Sequence, residues 1–281
     1  MFNDLAARAR ADFANARFKA FINRIRGAVA GMPTTLLSYD QVKEKLRLGG
    51  PIYRGVQTVA IKQIVGSLNR YHQFDRAFLP LEDQTANRWE NIDRAFYQEI
   101  DLPPIVLYKV GQVYFVVDGH HRVSVARQQG QEFIDAEVRE CSTRVNITPD
   151  LRPEDLEILG EKVTFLDRTA LDQIRPKANI KFTIPDGFER ALEHIAVHRY
   201  FMGLDMQRDV SDEEAVADWY DRVYRPIVHV IRRSSILKEF PGKTEADLYL
   251  WVLDRQRFLN TKGHDLASPE KAAKDFLDTV R

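Results

Sequence analysis

The stretch from Val113 to Glu137 constrains the fold more than any other part of the sequence. Residues 114–117 are β-branched and aromatic, which is typical of a β-strand. Val123, Val125 and Ala126 can form the buried side of a helix that closes at a glycine, residue 130. Another apolar run follows at 133–138. The stretch therefore predicts a strand, a tight turn, a short helix and a second strand.

The turn between the first strand and the helix carries the chemistry. It reads Asp118-Gly119-His120-His121-Arg122. A helix N-terminus offers free backbone N–H groups and the positive end of the helix dipole, which suits an anion such as phosphate. Glycine lets the backbone approach closely, and an arginine can fork onto two oxygens. The aspartate can hold a metal ion or a hydroxyl group, so the turn predicts a phosphate-handling site.

Two structural explanations of the same residues remain open at this point. An aspartate before a helix is often only the residue that caps its N-terminus. Adjacent histidines are often solvated turn residues. Neither explanation requires a ligand.

The turn and its flanks resemble the ParB/sulfiredoxin superfamily. The similarity runs roughly from Val56 to Cys141 and is greatest to the branch that contains free-serine kinases, whose motif reads Asp-Gly-His-Thr/His-Arg. Partition proteins usually carry Gly-Glu-Arg-Arg at this place, and sulfiredoxins carry Gly-Cys-His-Arg. The resemblance implies that the turn grips nucleotide phosphates.

The resemblance also implies that the segment after the first strand lies over the nucleotide. Ser67, Arg70, Asp75 and Arg76 are therefore expected on the opposite wall of the site, although a polar surface loop would have the same composition. The related kinases use a catalytic glutamate from this segment. This sequence has no clear match to it, and Asp75 is the nearest acid.

The element pattern predicts an α+β fold in which a small mixed sheet packs against helices. The expected strands are Val56–Ile61, Ile105–Tyr108, Val113–Val117 and Phe133–Val138. Three regions are expected: an N-terminal helical extension over 1–50, a ParB/sulfiredoxin-like nucleotide-binding domain over 51–145, and a mainly helical C-terminal domain over 146–281.

Periodicity predicts several helices outside the turn. In the first half of the chain they are a basic helix over 1–30, a helix opened by a capping box at Ser38, and Trp89–Ile100 with Ile100 on its buried side. In the second half they are Phe188–Met202, a long helix from Ser211 that Pro226 kinks, a helix capped by Thr244, and a helix that Ser268 and Pro269 start. The basic helix could touch nucleic acid, an acidic partner or a membrane surface, or it packs on its own domain. His194 and His198 share a helix face, but without a third ligand they form a poor metal site.

Composition excludes several classes of protein. Cys141 is the only cysteine, so an internal disulfide and a cysteine-based zinc cluster are both excluded. Acidic and basic residues balance at 41 each, so no overall field draws the protein onto nucleic acid. No apolar run is long enough to cross a bilayer, so no membrane association is expected and the cytoplasm is the default location.

The main functional hypothesis is a nucleotide-dependent phosphotransferase or NTPase that uses ATP, ADP or CTP with Mg²⁺ and an unidentified small-molecule acceptor. Asp118, His120 and Asp75 are the candidate catalytic residues, and Asp118 is the candidate metal ligand. The phosphates would be held by Gly119, His120, His121, Arg122, Ser67, Arg70 and Arg76. The alternative is a ParB-like nucleotide-responsive protein that binds DNA through a local basic patch or regulates without catalysis. A homodimer is compatible with either functional hypothesis.

Overall fold

The computed structural model describes residues 2–31, 34–261 and 269–280. The chain divides into two compact units, Met1–Leu156 and Glu157–Arg281. The first unit is a mixed sheet packed against helices, and the regular elements in the described part of the second unit are all helices. The predicted fold class is therefore confirmed, while the predicted domain boundaries at 50 and 145 stay predictions.

One six-stranded mixed sheet forms the centre of the first unit. Its strands lie in the order β1-β3-β5-β4-β6-β2. Their bounds are β1 Leu37–Ser38, β2 Ile52–Ala60, β3 Ile64–Ser67, β4 Ile105–Val110, β5 Val113–Asp118 and β6 Phe133–Cys141. The four expected strands are all present, but each is longer than predicted or shifted, and β1 and the full length of β3 were not expected.

Strand direction follows from the connections. The β4–β5 hairpin is antiparallel, as predicted, and turns at Gly111 with φ +58°. β3 pairs parallel with β5, and β4 pairs parallel with β6. Since β3 and β5 are parallel neighbours, Ser67 at the end of β3 comes to lie beside the end of β5 and the turn that follows it.

Four α-helices are found among the described residues of the first unit. They are α1 Phe2–Ala30, α2 Tyr39–Leu46, α3 Ala86–Tyr97 and α4 His120–Gln128. Ser38 Oγ accepts a bond from the Gln41 backbone N–H at 3.5 Å, so the predicted capping of α2 is confirmed. α3 ends three residues before the predicted Ile100, which is 52% exposed rather than buried.

The core of the first unit lies between the sheet and α4. Val123, Val125 and Ala126 are all buried, as the sequence predicted for this helix. On the other side of α4, Trp89 is fully buried and donates its indole N–H to Ser124 Oγ at 2.8 Å. Burying an aromatic side chain of this size contributes about 2–3 kcal/mol, so these contacts fix the position of the helix.

The second unit contains seven α-helices in its described residues. They are α5 Asp155–Thr169, which begins just before the unit boundary, α6 Leu171–Ile174, α7 Gly187–Met206, α8 Asp212–Trp219, α9 Arg225–Ser234, α10 Glu245–Thr261 and α11 Pro269–Val280. A π-helical turn, Tyr220–Tyr224, joins α8 to α9 directly before Pro226. Proline lacks an N–H group and clashes with the preceding turn, and the predicted long helix changes to π-helical geometry at this place; the predicted kink stays a prediction. Ser268, expected to start the last helix, lies outside the described residues.

Candidate functional site

The turn between β5 and α4 is shaped by Gly119. This residue has φ +98° and occupies the N-cap of α4, where it provides no side-chain bond. A Cβ at this position would lie 2.4 Å from Ile105 Cγ2. Only glycine combines that backbone conformation with that space. Because the cap is Gly119, the explanation of Asp118 as a mere helix cap is wrong.

The two histidines of the turn are buried, with 5% of His120 and 6% of His121 exposed. The explanation of solvated turn residues is therefore wrong. The ring of His120 stacks on Phe74 at 6.2 Å, and the ring of His121 meets Phe74 edge-on at 5.4 Å. Both imidazoles thus begin α4 with their rings held against the core.

Burial also sets the charge of these rings. It lowers the pKa of His120 to about 4, helped by the charge of Arg70. It lowers the pKa of His121 to about 4 as well, helped by the charges of Arg88 and Arg70. Both histidines are therefore neutral at pH 7. A neutral imidazole presents one donor and one acceptor nitrogen.

The two imidazoles differ in their bonding. His120 Nε2 lies 2.7 Å from Ser67 Oγ, and that oxygen also accepts the Arg70 backbone N–H at 3.0 Å. His121 Nδ1 is buried and has no hydrogen-bond partner. An unpaired buried polar atom costs about 1–3 kcal/mol, so His121 is retained against a stability penalty.

Asp118 and Arg122 pair across the first turn of α4. Asp118 Oδ2 accepts from Arg122 Nη2 at 2.7 Å, while 62% of the Asp118 side chain stays exposed. Arg122 Nη1 also donates to the backbone carbonyls of Pro103 and Pro104. The sequence predicted that the Arg122 guanidinium binds phosphate. In the structure this group stabilises the turn through its bonds to Asp118, Pro103 and Pro104.

A small cavity of about 50 Å³ opens at this turn. Its lining consists of Arg70, Arg88, Ile92, Asp118, Gly119, His120, His121 and Arg122. Water occupies about 30 Å³ per molecule in the liquid, so the cavity has room for a group about the size of one phosphate. The site residues predicted on the turn and on the segment after β3 come together here, with Ser67 behind His120.

Two predicted site residues lie elsewhere. Asp75 is 4% exposed and accepts the Leu79 backbone N–H at 2.8 Å and the Asn23 side-chain amide at 3.3 Å. Arg76 donates to the carbonyls of Pro149 and Leu151 at 3.0 Å. Neither lines the cavity. The expectation that Asp75 and Arg76 form the opposite wall is wrong, because both side chains turn away to satisfy buried backbone groups.

Arg88 is the residue that sequence reasoning missed. It is exposed, lies on α3, and its charge bears on both histidines. It stands outside the motif and thirty residues before Asp118, so no local pattern pointed to it. Arg88 and Ile92 are four residues apart and therefore lie on one face of α3. Which face of α3 meets the turn depends on how α3 packs against α4.

Each histidine on α7 has one ring nitrogen within hydrogen-bond distance of a side chain. His194 Nδ1 lies 3.1 Å from Tyr249 Oη, and His198 Nε2 lies 2.8 Å from Asp218 Oδ2. Within the described ranges, no group of three or more His, Cys, Asp or Glu residues is arranged to hold a metal ion. No helix among the described residues is long and apolar enough to span a membrane.

Comparison with known proteins adds a fold-level similarity. No protein family model matches the chain, and no curated protein does so either. Sulfiredoxin from Arabidopsis thaliana is 19% identical, covering 32% of this chain and 89% of that chain, with a TM-score of 0.25. A Pnob8-like ParB-N domain is 12% identical, covering 70% of this chain and 88% of that chain, with a TM-score of 0.21. Similarity at this level says nothing of what this chain binds.

Proposed function

We propose that the turn from Asp118 to Arg122 binds a phosphate group of a nucleotide at the N-terminus of α4. The observation that carries the proposal is that His121 lines a phosphate-sized cavity and that its buried Nδ1 has no hydrogen-bond partner. The backbone N–H groups at the start of a helix lack partners within it, and they favour an anion there. A phosphate oxygen would satisfy these donors.

The charges around the cavity support an anionic ligand. The guanidinium groups of Arg70 and Arg88 stand at the opening, while Asp118 is the one carboxylate of the lining. The two histidines are neutral and can donate without adding charge. Phosphate bound by arginine forms charge-assisted hydrogen bonds, which are stronger than neutral ones.

The remainder of a nucleotide would extend beyond the cavity. A cleft of about 680 Å³ adjoins it and shares Ile92 and Arg122 with it. Phe96, Ile100 and Phe133 give this cleft an apolar lining. Small-molecule sites of about 300–1,000 Å³ are usually apolar with a few polar groups, so a nucleobase or an acceptor fits this cleft.

Asp118 suits a magnesium ion that arrives with the nucleotide. Mg²⁺ is commonly held by one or two carboxylates together with substrate phosphates and water. The exposed Asp118 carboxylate accepts from Arg122 through Oδ2, which leaves Oδ1 available for the ion. The ion would balance phosphate charge, while the residues of the turn bind and orient the phosphate.

Transfer of the phosphate to an acceptor hydroxyl would be a further step. It needs a group that accepts the hydroxyl proton, and Asp118 is the acid of the cavity lining, since Asp75 lies elsewhere. Incubating the protein with ATP, ADP or CTP, Mg²⁺ and a panel of hydroxylated small molecules tests this step. Absence of nucleotide consumption would limit the function to binding.

Binding itself is tested by titrating ATP, ADP and CTP against Arg88→Gln, Arg70→Gln and His120→Ala. Loss of one charge-assisted bond should weaken binding by about tenfold or more. Arg94→Gln is the matched control, because Arg94 lies on the same helix outside the cavity and bonds to Asn91. Unchanged affinity in all three folded variants would show that the turn is structural.

A further inference from the structure

The second unit contains a cleft of about 780 Å³ that the turn does not explain. Its walls are the segment 177–181 before α7, the π-helical turn with α9, and the start of α10. The volume lies within the range of about 300–1,000 Å³ that is usual for small-molecule sites.

The walls of this cleft are fixed by ion pairs. Asp221, on the π-helical turn, accepts from Arg175 Nη2 at 2.6 Å and from Arg225 Nη1 at 3.3 Å. Glu245 accepts both nitrogens of the Arg232 fork at 2.6 Å and 2.7 Å. Both acids of the lining are thereby neutralised, so they oppose an anionic ligand only weakly.

A buried acid joins two of the segments that form the cleft. Asp247 is fully buried and accepts from the Thr183 backbone N–H at 2.9 Å and from the Thr244 backbone N–H at 2.8 Å. The Thr244 hydroxyl donates to the Lys181 carbonyl at 2.5 Å. These bonds join the 177–181 segment to the start of α10, so the cleft is formed before any ligand arrives.

Positive charge is in excess in this cleft. Lys177 and Lys181 line it, and neither has an acidic partner among the described residues. Half-buried Lys162 lies close to Lys181: burial, and then the charge of Lys181, lowers the pKa of Lys162. Like charges held together are unfavourable, and an anion bound beside Lys181 would relieve that repulsion.

We propose that this cleft binds a small phosphorylated molecule through Lys177 and Lys181, with the cationic face of α9 on the opposite wall. That face carries Arg225, His229 and Arg232, which are three or four residues apart along the helix and line the cleft together. The site is separate from the turn and belongs to a different compact unit.

The shape of the cleft favours a small molecule over a nucleic acid as its ligand. Nucleic-acid surfaces present a continuous basic stripe that follows the phosphate backbone. Here the cations converge on one cleft, and Asp221 and Glu245 lie between them. A compact anion can reach both walls without meeting a long stretch of acidic surface.

Sodium tripolyphosphate is the probe for this site, titrated by calorimetry into the full chain that carries Arg70→Gln and Arg88→Gln. These two changes weaken the turn, so the remaining binding reports on the cleft. We expect the remaining affinity to fall by about tenfold or more when Lys177→Gln and Lys181→Gln are added. Both lysines are exposed, so the fold should survive, and the melting temperature checks it.

Lys238→Gln is the matched control, because Lys238 is an exposed lysine of the same unit outside the cleft. It should leave the remaining affinity unchanged. Two results would overturn the proposal. One is an affinity for tripolyphosphate that is equal with and without Lys177→Gln and Lys181→Gln, and the other is no binding left once the turn is weakened. Tighter binding of duplex DNA than of tripolyphosphate through the same lysines, with a steep salt dependence, would overturn the choice of a small molecule.

Discussion

The histidine pair of the turn is buried, whereas the histidine pair of α7 is half-buried, and the two pairs also differ in their hydrogen bonding. Burial lowers the pKa to about 4 for His120 and His121 in the first unit, and for His194 in the second. His194 has a tyrosine partner and His198 has an aspartate partner. His121 Nδ1, by contrast, has none.

The difference shows which measurement separates structure from function. A lowered pKa is common to His194 and to both histidines of the turn, so this property does not by itself identify a binding site. An unpaired buried atom beside a cavity distinguishes the turn, because folding alone gains nothing from leaving it unpaired. The following predictions test this distinction, from the largest expected effect to the smallest.

Acidification should destabilise both regions. Unfolded imidazoles take up protons near pH 6.5, whereas His120, His121 and His194 resist protonation in the folded state down to about pH 4. The unfolded state therefore binds more protons in this window, and the free energy of unfolding falls as the pH falls from about 6.5 to about 4. Each group contributes at most on the order of 3 kcal/mol. Denaturant unfolding at several pH values measures the loss.

Replacing the histidines shows how much of this loss in the free energy of unfolding comes from each region. His120→Gln with His121→Gln should flatten the pH dependence more than His194→Gln does, since two groups are removed instead of one. Asp93 has a pKa raised to about 6 by burial, which stabilises the fold at low pH, but it is common to all these proteins. A pH dependence unchanged in the double variant would contradict the assignment of neutral imidazoles at the turn.

Gly119→Ala should destabilise the first unit by about 3 kcal/mol or more, because the new Cβ meets Ile105 and the backbone stays left-handed. Gly130→Ala is the matched control at the other end of α4. Gly130 also has positive φ, at +75°, but open space surrounds its Cβ position. It should cost about 1 kcal/mol. Equal losses of thermal stability would show that Ile105 yields to the methyl group.

His121→Phe and His194→Phe should shift stability in opposite directions. The first removes an unpaired buried nitrogen and should stabilise the protein by about 1 kcal/mol. The second removes the bond to Tyr249 and should destabilise it by about 1 kcal/mol. Melting temperatures measured without ligand decide the matter. Destabilisation by both changes would remove the contrast between the two pairs.

Asp118→Asn should have the smallest effect on folding, because an exposed ion pair contributes about 0–1 kcal/mol. Its effect on nucleotide binding should depend on the metal. The gain in affinity that Mg²⁺ provides should disappear, while binding without Mg²⁺ stays equal or strengthens as a negative charge is lost. Parallel titrations with Mg²⁺ and with a chelator measure this. A Mg²⁺ gain retained in full would exclude Asp118 as the ligand.

Local sequence predicted the elements better than their surroundings. The strand, turn and helix around Gly119 were predicted because β-propensity, a glycine and helical periodicity occur within twenty-five residues. β1 was not predicted, because a two-residue strand has no pattern of its own and forms only where β3 offers a partner. Ile100 was expected to be buried from periodicity, yet the helix ends at Tyr97, where Glu99 adopts a left-handed conformation.

The sequence by itself determined the chemical groups of the turn: a glycine with freedom of φ, two imidazoles, a carboxylate and a guanidinium, all within one strand-to-helix connection. These features depend on residues at most four positions apart. Tertiary structure alone decided that both imidazoles are buried and neutral, that Arg88 faces them from α3, and that Asp75 and Arg76 turn away. Burial and long-range approach depend on which helix face packs against which strand, and that choice is made by the whole core.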